Sequence, residues 1–326
     1  MGEQLFMGVD VGSVSTNLAV IDPQSRVVEK LYLRTLGRPI ETVQRGLAEM
    51  RDLLGGRTGD ISGVGTTGSA RQLTAVLVGA DSVKNEITAH AIAASLVIPG
   101  VRTVFEIGGQ DSKIIILRDG IVVDFAMNTV CAAGTGSFLD QQASRLSIPI
   151  EDFGGYALRS EAPVRIAGRC TVFAESDMIH KQQMGHTTED IIAGLSEALV
   201  RNYLNNIARG KDIKPPVVFQ GGVAANRGIK SAFERHLGYE VIVPAFHDVM
   251  GAIGAAQLAL ERVAVTGTTR FKGFEAAEFE YKTLGFECNN CPNVCEVVEI
   301  LQDGVVISRW GDKCGRYQDL SVERNS

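Results

Sequence analysis

Apolar and polar positions fall into short blocks along this chain, and most blocks close on glycine or polar residues, which predicts strands and hairpins set between amphipathic helices. Phe6-Met-Gly-Val-Asp-Val-Gly-Ser-Val-Ser-Thr-Asn-Leu-Ala-Val-Ile21 reads as a strand, a tight glycine turn and a second strand. Thr103-Val-Phe-Glu-Ile-Gly-Gly-Gln-Asp-Ser-Lys-Ile-Ile-Ile-Leu117 repeats that plan, with Glu106-Ile-Gly-Gly109 standing where Asp10-Val-Gly-Ser13 stood, so two similar halves are expected. Pro216-Val-Val-Phe-Gln-Gly-Gly-Val-Ala-Ala-Asn226 is a buried-looking strand that ends at Gly221-Gly222 with a helix beyond. Cys131 and Cys170 each follow irregular sequence and open helix-compatible spacing, which predicts a helix start beside each thiol. Residues 257–260 close a helical stretch, residues 265–269 read as a linker, and residues 297–308 are one strand-like stretch.

Composition narrows the class. A chain of 326 residues, 45% hydrophobic and 21% charged, is long enough for about two globular domains. Its net charge of −6 and pI near 5.5 argue against nucleic acid as a partner. The N-terminus runs straight into strand pattern without a signal peptide, and apolar runs such as 114–117 fall far short of the roughly 20 residues of a membrane span. A cytoplasmic protein without a membrane partner is expected, and in a reducing compartment its six cysteines read as free thiols or metal ligands.

The glycine turns carry the candidate chemistry. At Gly12, Gly108 and Gly109 the backbone N–H groups can approach a phosphate, with Ser13, Ser15, Thr16, Gln110 and Ser112 as further donors, and Asp10 and Asp111 can hold Mg²⁺ through its waters. The Gly221-Gly222 loop, with Ala224 and Asn226, suits a nucleoside lying on backbone. No Walker loop is present. In order, the three elements match an α/β fold, the duplicated acetate and sugar kinase, heat-shock chaperone and actin-like ATPase fold. The partial positive charge of a helix start favours a thiolate at Cys131 and Cys170, so the pair suits soft-metal ligation. Two thiols cannot hold an iron–sulfur cubane, which usually takes four, and a symmetric dimer would supply the missing pair. In the tail, Cys288-Asn-Asn-Cys291-Pro-Asn-Val-Cys295 and Cys314 are compatible with structural Zn²⁺ or with a second iron–sulfur cluster. Its short strands and single Trp310 are expected to build little core of their own, which a metal would offset.

With the cysteines added, the chain resembles the activator ATPases of 2-hydroxyacyl-CoA dehydratases and the related ATPase subunits of benzoyl-CoA reductases over residues 4–262. The carriers are Gly8-Val-Asp-Val-Gly-Ser13, Asn85-Glu-Ile-Thr-Ala-His-Ala91, Glu106-Ile-Gly-Gly-Gln-Asp111, Asn128-Thr-Val-Cys-Ala-Ala-Gly-Thr-Gly136, Arg169-Cys170, Gly221-Gly-Val-Ala-Ala-Asn226 and Val243-Pro244. The resemblance implies a homodimer sharing one [4Fe-4S] cluster on Cys131 and Cys170 of each subunit. ATP binding would then drive electrons, supplied by ferredoxin or flavodoxin, to a partner iron–sulfur dehydratase or reductase. It also implies two ATPase halves, 1–98 with 249–262 and 99–248, followed by a cysteine-rich extension, 263–326. Asp10 and Asp111 are assigned to Mg²⁺, Gln110 to the attacking water, and Glu106 stands where many relatives carry aspartate. Short activators lack the extension, and longer relatives that carry one point to a partner with a double-cubane cluster. Glu86 and His90, four apart on a helix, read as a structural pair, residues 65–71 as another phosphate-facing loop or a connection between elements, and His180, His186 and His247 as ordinary residues. The competing readings are a small-molecule kinase on the same fold and a non-enzymatic nucleotide switch.

Overall fold

A computed structural model describes residues 4–128, 132–167 and 170–317. The chain divides into two units, 1–12 with 16–84 and 255–326, and 13–15 with 85–254. In the first, β1 (Leu5–Val11), β2 (Ser15–Ile21), β3 (Val27–Arg34), β4 (Ile61–Thr67) and β5 (Ser82–Val83) make one sheet in the order β3-β2-β1-β4-β5, with α1 (Pro39–Leu54) and α2 (Arg71–Val78) between strands. β1 is antiparallel to β2 and parallel to β4. The helix α1 starts on a proline whose missing N–H would have no partner there, and it buries Val43, Leu47, Met50 and Leu54, the 3.6-residue stripe of a core-facing helix.

The second unit repeats this plan. Its strands are β6 (Thr103–Ile107), β7 (Ser112–Arg118), β8 (Ile121–Asn128), β9 (Val217–Gln220) and β10 (Val241–Ile242), in the order β10-β9-β6-β7-β8. The pair β6 and β7 is antiparallel, while β6 with β9 and β9 with β10 are parallel, as are β1 with β4 and β4 with β5, so β6 to β10 reproduce the order of β1 to β5. Its helices are α3 (Glu86–Val97), α4 (Gly136–Arg145), α5 (Ile150–Leu158), α6 (Thr171–Gln183), α7 (Thr188–Asn206) and α8 (Arg227–Leu237). Phe105, Phe219, Phe233 and Tyr203 form an aromatic knot in its core, with ring centroids 4.9–5.4 Å apart.

Beyond these, α9 (Met250–Thr266) runs past the expected end near residue 260. Residues 258–266 contain no glycine or proline to stop it, and it closes at Gly267, whose φ of 72° admits the turn in which its N–H returns to the Val263 carbonyl at 2.8 Å. The expected linker is a clamp instead. Asp81 accepts from the Arg270 amide and the Thr269 hydroxyl, both at 2.7 Å. The single strand expected over 297–308 is a hairpin of β12 (Cys295–Gln302) and β13 (Val305–Trp310), beside β11 (Tyr281–Cys288). Its turn is Asp303-Gly304, both at positive φ, which is the dipeptide that favours a hairpin of this hand. The tail also has a core to join. Phe274, Ala276 and Ile300 are buried in one cluster with Leu47, Met50 and Val78 of the first unit, so apolar packing already holds this sheet.

Candidate functional site

The charged centre of the second unit lies at the carboxyl ends of the parallel strands β6 and β9, where α/β sheets bind ligands. Glu106 is paired in register with Gln220 on one side and Lys113 on the other. Lys113 is 2% exposed at its side chain, and its Nζ lies 2.8 Å from Glu106 Oε2, 2.7 Å from Asp111 Oδ1 and 3.4 Å from Glu86 Oε2. One ammonium therefore faces three carboxylates. Burial works against its charge, but Glu106, Asp111 and Glu86 outweigh that and hold its pKa above the ordinary lysine range. Tyr203 fixes the strand from behind, donating its hydroxyl to the Lys113 carbonyl at 2.6 Å.

Glu86 and His90 reach this centre because Asn85 caps α3, accepting from the Thr88 amide at 2.9 Å and setting both residues on one face a turn apart. They do not act as a pair with each other. Glu86 faces Lys113, and the His90 ring Nδ1 lies 2.8 Å from Gln220 Nε2, which as a donor requires Nδ1 to be unprotonated. Burial, then the Lys113 charge, lowers the His90 pKa from 6.5 to about 4. Below pH 6.5 the unfolded chain therefore takes up a proton that the folded one refuses, so stability is complete above that pH and declines on acidification. Urea unfolding should show a loss of roughly 3 kcal/mol between pH 7 and pH 4 from this group. A His90→Gln variant should lack that part of the slope.

The glycine turn beside this centre is held by the start of α4. The Gly136 amide donates to Gly108 O and the Ser137 amide to Gly109 O, both at 2.8 Å, and the Ser137 hydroxyl adds a 2.6 Å bond to Gly109 O. First-turn amides that a helix leaves without partners thus tie down the carbonyls of the turn. Gln110 is exposed, and the Ser112 hydroxyl is buried without a partner among the described residues. Within this unit a Cβ on Gly109 would lie 2.7 Å from Val14. After β9, Gly221 takes φ +91°, and a Cβ there would stand 2.7 Å from Glu106 Oε1. His247, ordinary in the sequence, accepts the Gly221 amide on its carbonyl at 2.8 Å. Gly222 is exposed and Ala224 buried. Asn226 caps α8 through Gly228 and Ile229, leaving its Nδ2 buried and unpartnered among the described residues.

In the first unit Asp10, one residue before the end of β1, stands opposite Asn17 and Thr67, and a Cβ on Gly68 would come within 2.6 Å of its Oδ1. Residues 65–67 complete β4 and Arg71 opens α2, so only residues 68–70 are the connection expected over 65–71. Thr16 is fully buried and shares a 3.0 Å hydrogen bond with Thr35, whose hydroxyl is 3.0 Å from Gly12 O. Ser13 and Ser15, which group with the second unit, are exposed and half-buried respectively.

Cys170 is the N-cap of α6 with extended backbone, and its side chain makes no capping bond. It is a free, half-buried thiol, and the next two residues after Thr171, Val172 and Phe173, are 65% and 66% exposed. Cys131 and Arg169 lie outside the described residues, and the helix after Cys131, α4, begins at Gly136 behind a 3₁₀ turn. On the edge strand β8, which leads to Cys131, Ile121, Val123, Phe125 and Met127 are all exposed on one face. For a thiolate-held cluster the donor at Cys170 fits, being unbonded, undisulfided and at a helix start. Among the described residues no three His, Cys, Asp or Glu side chains already form a metal-ligand set, those of the tail included. No described helix is long and apolar enough to cross a membrane.

The sequence pattern alone does not reveal Lys113. Its signal is a lysine leading a run of three isoleucines on a strand central enough to bury them all, where a charge persists only if paired.

Comparison with known proteins gives a consistent answer. The model of the BadF/BadG/BcrA/BcrD ATPase family matches residues 7–259. The (R)-2-hydroxyglutaryl-CoA dehydratase activating ATPase of Acidaminococcus fermentans is 34% identical over 258 residues, covering 79% of this chain and 98% of that protein. The solved structure of the activator of the 2-hydroxyisocaproyl-CoA dehydratase from Clostridium difficile, with bound ADPNP, is 32% identical with a TM-score of 0.74, covering 81% of this chain and 97% of that one. Ethanolamine utilization protein EutJ from Carboxydothermus hydrogenoformans, 17% identical at a TM-score of 0.53 over 79% of this chain and 91% of its own, shares the fold.

Proposed function

The chain belongs to the BadF/BadG/BcrA/BcrD ATPase family, and from that footing we propose that it hydrolyses ATP to drive low-potential electrons to a partner iron–sulfur enzyme. The observation that carries this reading is Cys170, an uncommitted thiol at the head of α6 in a chain otherwise similar to dehydratase activators. Cys170 and Cys131 would hold a [4Fe-4S] cluster together with the same two residues of a second copy. When bound, such a cluster supplies one electron at a time at low potential. The exposed Val172 and Phe173 and the apolar face of β8 support a second copy as the group that covers this surface.

The nucleotide phosphates would be held by the Gly12-Ser13 and Gly108-Gly109 turns, with Ser15 and Thr16 on β2, and the adenosine by Gly221, Gly222, Ala224 and Asn226. Asp10 and Asp111 would bind Mg²⁺ through water. The ADPNP bound to the Clostridium difficile activator supports the nucleotide. Gln110, exposed at the tip of its turn, would orient the attacking water, with Glu106 beside it. Because α4 bonds the carbonyls of Gly108 and Gly109, a shift of that turn on phosphate binding would pull directly on the helix that follows Cys131. This is a mechanical route from nucleotide to cluster. The donor would be a ferredoxin or flavodoxin, and the acceptor a dehydratase, a reductase or a double-cubane-cluster protein.

Gln110→Ala should lower kcat for ATP hydrolysis by about 10²-fold while changing ATP affinity only a few-fold, since it removes positioning of the nucleophile and leaves the cradle. Steady-state ATPase assays with nucleotide titration check this. The reading as a whole is tested by anaerobic iron and sulfide analysis of wild type and a Cys131→Ser/Cys170→Ser variant, each with its mass in solution. About four irons per dimer, lost in the variant, support it. A colourless protein that phosphorylates a small molecule would assign it to the kinases instead, and colourless filaments would assign it to the nucleotide switches.

A further inference from the structure

The tail lies outside the stretch that the family model matches, yet it carries four of the six cysteines. The pairing of β11 with β12 sets Cys288 directly opposite Cys295. Cys291 is in the connecting loop, where the Val294 amide closes a turn onto its carbonyl at 3.2 Å. β13 runs back along β12 with Trp310 opposite Val298, and a Cβ on Gly311 would meet the Glu296 carbonyl, so the chain leaving β13 passes the start of β12. Cys314 follows three residues later. All four thiols are therefore gathered at one end of this sheet.

Two further contacts draw the end together. Tyr317 stacks edge-on against Phe286 of β11, with centroids 5.6 Å apart, and its amide donates to Asp312 Oδ2 at 3.3 Å. The Cys314 thiol faces the same oxygen at 3.5 Å, while Asn290 Nδ2 donates to Cys288 Sγ at 3.2 Å. Asp312 is 5% exposed, and its Oδ1 has no hydrogen-bond partner among the described residues.

We propose that Cys288, Cys291, Cys295 and Cys314 bind a single zinc ion, the Cys314 thiol giving up the proton it now directs at Asp312. The Cys-x2-Cys spacing is that of zinc sites. The cross-strand pair decides the nuclearity. Opposed residues place their Cβ atoms about 4.5–5.5 Å apart, which suits the roughly 3.8 Å between sulfurs on one tetrahedral ion with Zn–S of about 2.3 Å. A cube of iron and sulfide holds its thiolates farther apart. Among the described residues the four thiols are not already arranged as a ligand set. Cys291 and Cys314, exposed on a loop and beyond the last strand, are the two that swing in, while strand pairing fixes Cys288 and Cys295. The ion would staple the far end of β11, whose residues 282–287 are exposed on both faces, while Ile300 anchors the sheet to the first unit's core.

The test uses full-length protein carrying Cys131→Ser and Cys170→Ser, so that only tail thiols remain, prepared without metal and titrated with Co²⁺. One Co²⁺ per chain with intense sulfur-to-cobalt absorption, displaced by Zn²⁺, is the expected result. Cys291→Ser and Cys314→Ser should each weaken binding at least tenfold, with ATP binding retained as the check on folding. Absence of the thiolate band in a protein that still binds ATP overturns the proposal. So does equimolar iron and sulfide on these four thiols after anaerobic purification, or a Cys288–Cys295 disulfide in freshly prepared protein.

Discussion

Cys170→Ser should strip the protein of nearly all its cluster iron and abolish electron delivery to a partner, while ATP binding stays within a few-fold of wild type. The change is unusually clean in structural terms. Cys170 caps α6 without using its side chain, and serine is among the preferred N-cap residues, so the helix should be as stable or slightly more so. Loss of iron then reports ligation and not unfolding. One missing ligand per subunit would remove two of the four thiolates of a cluster shared across a dimer, and a cubane does not survive on two. Iron analysis, circular dichroism and nucleotide titration on one preparation separate these effects. Iron retained at the wild-type level in the folded variant would place the cluster elsewhere.

Lys113→Met is expected to have the largest effect on stability. Removing the ammonium leaves Glu106, Asp111 and Glu86 facing one another with nothing between them, and uncompensated charge of this kind costs about 3–5 kcal/mol. For a domain of this size the loss corresponds to roughly 10 °C in Tm. Two conditions should narrow the deficit. Lowering the pH protonates the carboxylates whose partner has gone, and Mg²⁺ supplies a replacement cation at a point where wild type already holds one. Thermal unfolding of both proteins with and without Mg²⁺ measures this. A variant as stable as wild type, or one that Mg²⁺ does not help, would mean that the three carboxylates are not in fact mutually strained. Lys113→Arg keeps the charge but not the fit, and should fall between the two.

The duplicated hairpins are legible in the sequence because they combine short, almost continuously apolar and buried strands with glycine turns at the same offset in both halves, a pattern that tertiary context has little power to override. The cap at Cys170 is legible for the same local reason. What escapes is whatever depends on a partner distant along the chain. Lys113 looks like a solvent-facing strand residue until Glu86, 27 positions earlier, is brought over it by α3. Glu86 and His90 suggest each other by spacing, yet one turns to Lys113 and the other to Gln220. The tail is misjudged in a similar way. Asp303-Gly304 is a readable hairpin signal hidden in an apolar run, whereas the burial of Ile300 depends on the first unit and on no property of the tail itself.

That burial bears on ancestry. Gln44 of α1 donates to the carbonyls of Ala277 and Phe279 at 3.0 and 2.8 Å, Arg51 reaches Glu278 at 3.0 Å, and Lys272 returns its amide to Val78 at 3.0 Å. A lineage could not discard the extension by a single stop codon without baring apolar residues and stranding these donors. Gain or loss of the tail should therefore have left a correlated signature in genomes. Relatives that end near α9 should carry polar replacements at the α1 and α2 positions that face Phe274 and Ile300, and should lack the glutamine at the position of Gln44.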